Sequence, residues 1–297
     1  MFRRAKRPLQ ASFILSFFLL ILLPGSACSA EAEQCVLPED YGEVVCRYNE
    51  RAPNHLYIIG LAHRDSLTRA NGSRTPRIQA EVYKIGEWLI QNQEVELLLP
   101  EGFFATNPKR MPEKKGALLP AASRQEKMEI LELKLSDDRR NVNAEMLLRD
   151  DFPLLLRQVE DRDLYQAALE DIRLLAETKG NMEKSYLLRS EIDYHQKMRV
   201  GTMLQRIPGI VDDEFRQGRI GNKKAVFTIG LSHVANIIKY LEEQKVTVLC
   251  PPFIPSKHED YVCELNLAKE DFAITVIIPR TLINDRETME KNNLKGF

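Results

Sequence analysis

Short apolar runs bounded by proline, glycine and asparagine recur toward both ends of the chain, and a long stretch with helical spacing separates them. EVVCRY (residues 43–48) and HLYIIG (55–60) read as strands joined by the polar turn NERAPN, which predicts a hairpin. Between Arg77 and Asn92 the apolar residues Ile78, Val82, Ile85 and Leu89 recur every three or four positions behind Pro76, the pattern of one helix face. VELLLPEGF (95–103) then reads as a buried strand ending at Pro100. Strand, helix, strand in that order predicts a βαβ unit with a parallel pair.

From about residue 105 to 210 the composition turns to Leu, Glu, Arg, Lys and Met with very little glycine. That region reads as three to five helices interrupted at Pro153, an insertion covering the C-terminal edge of the strands. Its charges read as solvated helix faces. The α/β pattern returns with KAVFTIG (224–230), a helix from Ser232 to Gln244, VTVLC (246–250), a proline-rich loop, and FAITVIIP (272–279). Residues 281–297 are polar and read as a trailing tail. The expected fold class is α/β, a central and largely parallel sheet flanked by helices, in one domain over residues 31–280.

The first thirty residues stand apart. Arg3, Arg4, Lys6 and Arg7 precede an apolar stretch from Ala11 to Leu23, which ends in the small residues Gly25 to Ala30. This is the layout of a secretory signal peptide, and the stretch is shorter than the about 20 residues a membrane helix needs. The chain is therefore expected to be exported, periplasmic or secreted, with Cys28 as a candidate lipid-anchor site. Membrane contact is expected only through those elements. Beyond the leader, Cys35, Cys46, Cys250 and Cys263 remain, an even number compatible with short-loop pairs 35–46 and 250–263 or with four thiols. Hydrophobic residues make up 44% of the chain, enough for a large core, and the formal charge of −1 gives no reason to expect nucleic acid.

One pattern carries chemistry. Ile-Gly-Leu-x-His occurs at residues 59–63 and again at 229–233, each time at the end of a predicted strand. With 14 glycines and 5 histidines, a single G-x-x-H arises by chance about a quarter of the time, whereas the extended motif at two strand ends does not. In open α/β sheets ligands collect at the carboxyl ends of strands. Glu101, just past Pro100, belongs to the same edge. His63, His233 and Glu101 are thus expected to converge, although each histidine could instead cap a turn. Asp65 either orients His63 or begins the next loop. His195 reads as a helix-surface residue paired with Glu191 or as an extra ligand. His55 and His258 read as surface residues. No H-E-x-x-H, G-x-S-x-G or P-loop signature occurs, and the cysteines lack C-x-x-C spacing.

With G-x-x-H after an early strand, glutamate after the next and a second G-x-x-H late in the chain, the sequence resembles the Tiki/TraB superfamily, which includes erythromycin-esterase-like and ChaN-like haem-binding proteins. The resemblance covers about residues 55 to 103 and 223 to 250. It places Gly60, His63, Glu101, Gly230 and His233 at the motif positions, with Gly60 and Gly230 near the ligand. It also implies an arginine on a preceding helix, for which Arg189 and Arg199 are the candidates. Tiki proteins imply a divalent-metal-dependent protease, with Mn, Co or Zn on His63, Glu101 and His233, a donor set with room for water. Erythromycin esterases imply a histidine general base without metal. ChaN-like proteins imply haem, with Tyr57 or Tyr194 as axial candidates. The leading expectation is hydrolysis of an amide or ester in a small-molecule or peptide substrate, and haem or other ligand binding is the alternative.

Overall fold

Strand β2 (Asn54–Leu61) shows what drives folding. Tyr57, Ile59 and Leu61 join one buried cluster, while Leu56 and Ile58 join another on the opposite face. Side chains alternate across a strand, so a run that is apolar at every position must be covered on both faces. The computed structural model, which describes residues 36–64, 70–107, 123–137, 142–178, 181–249 and 260–294, meets that demand with helices on both sides of a six-stranded sheet. The strand order is β1 (Gly42–Tyr48), β8 (Phe272–Pro279), β2, β5 (Lys224–Gly230), β3 (Leu97–Pro100), β4 (Leu155–Leu156). Only β1 runs antiparallel to its neighbour.

The α/β class and the mostly parallel sheet agree with the pattern of the sequence. Two pairings do not. β1 and β2 form no hairpin, because β8 lies between them and pairs with both. All eight residues of β8 are buried, so it takes an interior place, and the five connecting residues 49–53 easily span the about 10 Å across one intervening strand. β2 and β3 are parallel but not adjacent, since β5 sits between them. Strand β6 (Lys245–Leu249) forms where VTVLC predicts it. It pairs outside the main sheet with β7 (Asp260–Glu264), whose residues read as loop.

Helix α1 (Thr75–Gln93) covers one face with Ala80, Val82, Tyr83, Ile85 and Leu89, and α2 (Arg124–Leu135) and α3 (Ala144–Asp151) lie against it. Ser123 and Glu126 form a capping box at the start of α2. The other face carries α5 (Met182–Arg216), through Val200, Met203, Leu204, Ile207 and Val211, and α6 (Val234–Glu243). Helix α4 (Arg162–Glu177) packs on α5. Leu155 and Leu156, read as helical, instead form β4, since Pro153 ends the helical spacing and the leucines are buried.

The C-terminal residues do not trail off. They form α8 (Arg280–Ile283) and α9 (Arg286–Lys291), with Leu282, Met289 and Leu294 buried. Thr281 donates from its backbone N–H and its hydroxyl to Glu81 of α1. Three scattered apolar residues among charges give no periodic signal, although each fills the core. The leader, Cys28, Cys35, Asp65, Cys250 and His258 lie outside the described residues. Cys46 and Cys263 are half-buried free thiols, and the partners expected for them are among those not described.

Candidate functional site

Three parallel strands end together and build the site. The register pairs Leu61 of β2 with Gly230 of β5, and Pro100 of β3 with Thr228. Each motif therefore leaves the sheet at nearly one level. Glu101 keeps its backbone in the sheet by donating its N–H to the Thr228 carbonyl at 2.9 Å. His63 follows β2 on a loop that Gln79 of α1 fastens, donating to the Ala62 carbonyl at 3.0 Å. His233 closes a short 3-10 turn, Leu231–His233, that leads into α6.

The Glu101 carboxylate is the hub. Its Oε2 accepts from the Gly230 backbone N–H at 2.7 Å and lies 3.0 Å from Nε2 of His63. Its Oε1 accepts from Arg199 at 3.0 Å and lies 3.5 Å from Nε2 of His233. An ionised carboxylate only accepts, so Nε2 of His63 carries the hydrogen, and in the neutral imidazole the other ring nitrogen holds the lone pair. Arg199 is itself shared. Its Nε donates to Oε1 of Glu160 at 2.5 Å, Gln196 takes another N–H, and the guanidinium lies over the Tyr165 ring. Glu160 also accepts from the Gly102 N–H at 2.8 Å, beside the turn in which Gly102 adopts a φ of 73°.

Burial grades the site from a sealed floor to an open mouth. The side chains of Glu160, Arg199, His233 and Glu101 are 0%, 5%, 8% and 9% exposed, whereas His63 is 47% exposed. Burial alone would raise the Glu101 carboxyl, but His233 and His63 outweigh it and hold the group well below the usual carboxylate range. Burial would lower His63, yet Glu101, with a smaller contribution from Glu145, raises it despite Arg199. Burial likewise works against the Arg199 charge, and Glu101 and Glu160 overcome it, so its pKa is raised. At Glu160 burial prevails over Arg199 and lifts the carboxyl.

The two motif glycines have different duties. A Cβ on Gly230 would stand 3.0 Å from the His63 ring and 3.4 Å from Oε2 of Glu101, so glycine lets the imidazole and the carboxylate lie on the β5 backbone. A Cβ on Gly60 would meet Val234 at 2.8 Å, with Leu231 and Ile278 next. Gly60 is therefore a packing glycine beneath α6.

Among the other candidates, Arg199 reaches the centre and Arg189 does not. Arg189 is exposed, ten residues earlier on α5 and about 15 Å along the helix axis. His195 is buried and bonds Asp171 of α4 at 2.6 Å, in place of the exposed pairing with Glu191. His55 is half-buried, stacked on Tyr57 and bonded to Thr275. Tyr57 is 1% exposed and donates to Gln93, so it offers no open axial position for haem. A cavity of about 600 Å³ on the far side of Glu160 is bordered by Arg157, Gln158, Arg206 and Asp212 together with Val159 and Ile210, and does not include His63, Glu101 or His233.

Two imidazoles and a carboxylate are suitable donors for a divalent metal. As placed, however, each Glu101 oxygen already holds two partners, and among the described residues no three His, Cys, Asp or Glu side chains are arranged to hold an ion. No motif or spacing pointed to Glu160 or Glu145. Glu160 stands four residues past β4, as Glu101 stands one past β3, so reading Leu155 and Leu156 as a strand would have exposed it.

Compared with known proteins, the chain matches no family model, no curated protein and no solved structure.

Proposed function

We propose that the protein is a hydrolase of esters or amides in which His63 is the general base, in keeping with the motif resemblance to the Tiki/TraB superfamily and its esterase branch. One observation carries the reading. The only half-exposed member of the cluster is an imidazole whose Nε2 is fixed on a buried, ionised glutamate. A base must be accessible, correctly tautomeric and held in place, and the Glu101 pair meets all three needs.

In this scheme Nδ1 of His63 takes a proton from water as the water oxygen bonds to the substrate carbonyl carbon. The carbonyl electron pair moves onto oxygen, and His233, whose Nε2 lies 3.5 Å from Glu101, donates to it by turning its N–H from that carboxylate. Collapse breaks the bond to the alcohol or amine, which leaves with the proton held by His63. Arg199 braces Glu101 and does not touch the reacting atoms, since its N–H groups are committed to Glu101, Glu160 and Gln196.

Steady-state hydrolysis of chromogenic esters and anilides tests this. His63→Ala should lower kcat/KM by about 10²- to 10⁴-fold with little change in melting temperature, because the side chain is half exposed. Unchanged turnover in that variant would overturn the assignment. Loss of activity on chelation, restored by Mn, Co or Zn, would instead favour the metal-dependent protease. A Soret band in the purified protein would favour haem.

A further inference from the structure

We propose that the mouth of this site receives a substrate bearing an ammonium group, and that Glu145 is the residue that binds it. The inference rests on the hydrolase reading and names its substrate class. Glu145 is the second residue of α3 and only 5% exposed, yet its buried Oε2 has no hydrogen-bond partner among the described residues. A buried carboxylate oxygen left without a donor is costly, and native proteins keep few of them without reason.

Its position is fixed relative to His63 by one side chain. Gln79 donates to the carbonyl of Ala62, the residue before His63, and accepts from the N–H of Ala144, the residue before Glu145. The loop of the base and the first turn of α3 are therefore clamped to the same amide. The Glu145 charge is close enough to act on the His63 imidazole.

Charge balance points the same way. Glu101 lies against both imidazoles and shares Arg199, the buried guanidinium, with Glu160, whereas Glu145 has no cation paired with it among the described residues. Arg64, next to His63, directs its guanidinium to the carbonyls of Leu135 and Val142. A buried carboxylate with no cation paired to it selects positively charged ligands and disfavours anionic ones. An ammonium supplies both the missing hydrogen bond and the missing charge.

The test uses the full chain and pairs of p-nitrophenyl esters that differ only in a terminal amine, ω-aminoacyl against plain acyl, over several chain lengths. The wild type should favour at least one amino ester over its neutral partner by about tenfold or more in kcat/KM. Glu145→Gln should bring that ratio close to one, and Glu145→Asp should keep part of it. Equal ratios in wild type and Glu145→Gln would overturn the inference. If the wild type hydrolyses none of the esters, the hydrolase reading fails, and binding alone then decides. Butylammonium chloride should raise the melting temperature of the wild type above the sodium chloride control, and should not do so for Glu145→Gln. No shift in the wild type, or a shift with zinc or manganese alone, would also overturn it.

Discussion

Gly60 and Gly230 occupy the same place in two copies of one motif, yet alanine should act differently at each. At Gly230 the new methyl meets the His63 ring, which is half exposed and can move aside. The cost should fall on chemistry, because small displacements of a base weaken catalysis steeply. Gly230→Ala is expected to lower kcat/KM by about tenfold or more with a nearly unchanged melting temperature. At Gly60 the methyl meets Val234, which is fully buried, and overpacking of this kind costs about 1–3 kcal/mol. Gly60→Ala should therefore melt earlier while each folded molecule keeps its rate. Thermal melts and kinetics on both variants check the contrast, and a catalytic defect at Gly60 with normal stability would contradict it. The centre has the same asymmetry. His63, Glu101 and His233 were legible because a repeated motif and a strand end are local signals. Glu145, Glu160 and the choice of Arg199 over Arg189 depend on how distant helices are rotated, and no spacing records that.

Strands β2, β5 and β8 were readable for a physical reason: they are buried on both faces, so nearly every residue is apolar. Their neighbours were not readable, since the order β1-β8-β2 depends on contacts more than 200 residues apart in sequence. His55 sits at such a contact and gives the sheet an acid sensitivity. Burial, then Lys224 and Arg47, push its pKa down to about 4 from an ordinary value of 6.5. In the unfolded chain His55 binds a proton near 6.5, and in the folded protein it resists one until about 4. Its contribution is therefore complete above 6.5 and is lost as pH falls from 6.5 toward 4. The loss is at most about 3 kcal/mol. His55→Gln should flatten the dependence of unfolding free energy on pH across that window, as measured by urea titration at successive pH values. An unchanged slope in the variant would place the sensitivity elsewhere.

At the scale of the whole chain, the two ends make opposite predictions. We propose that the N-terminal leader is removed on export, so intact mass should place the mature N-terminus between Cys28 and Glu31. A product retaining Met1 would refute this, and a diacylglycerol adduct on Cys28 would identify a lipoprotein. The C-terminal end, by contrast, is part of the fold although its composition suggests a tail. Leu282, Met289 and Leu294 are each no more than 4% exposed, and Thr281 gives the buried Glu81 two hydrogen bonds. Each such apolar side chain contributes about 1.5–3 kcal/mol by leaving water, so together they amount to a large part of the about 5–15 kcal/mol that holds a domain folded. Removal of Thr281 also takes two donors from Glu81, a carboxyl that burial raises against the pull of Thr281 and Arg77. Deleting residues 281–297 should therefore lower stability by several kcal/mol, by removing the floor under α1 that carries Gln79 and, through it, the His63 loop. Activity should fall along with melting temperature. A truncated chain that melts with the full-length protein would mean that these helices add nothing to the core. One that melts early but keeps its full rate would show that α1 holds the His63 loop without them.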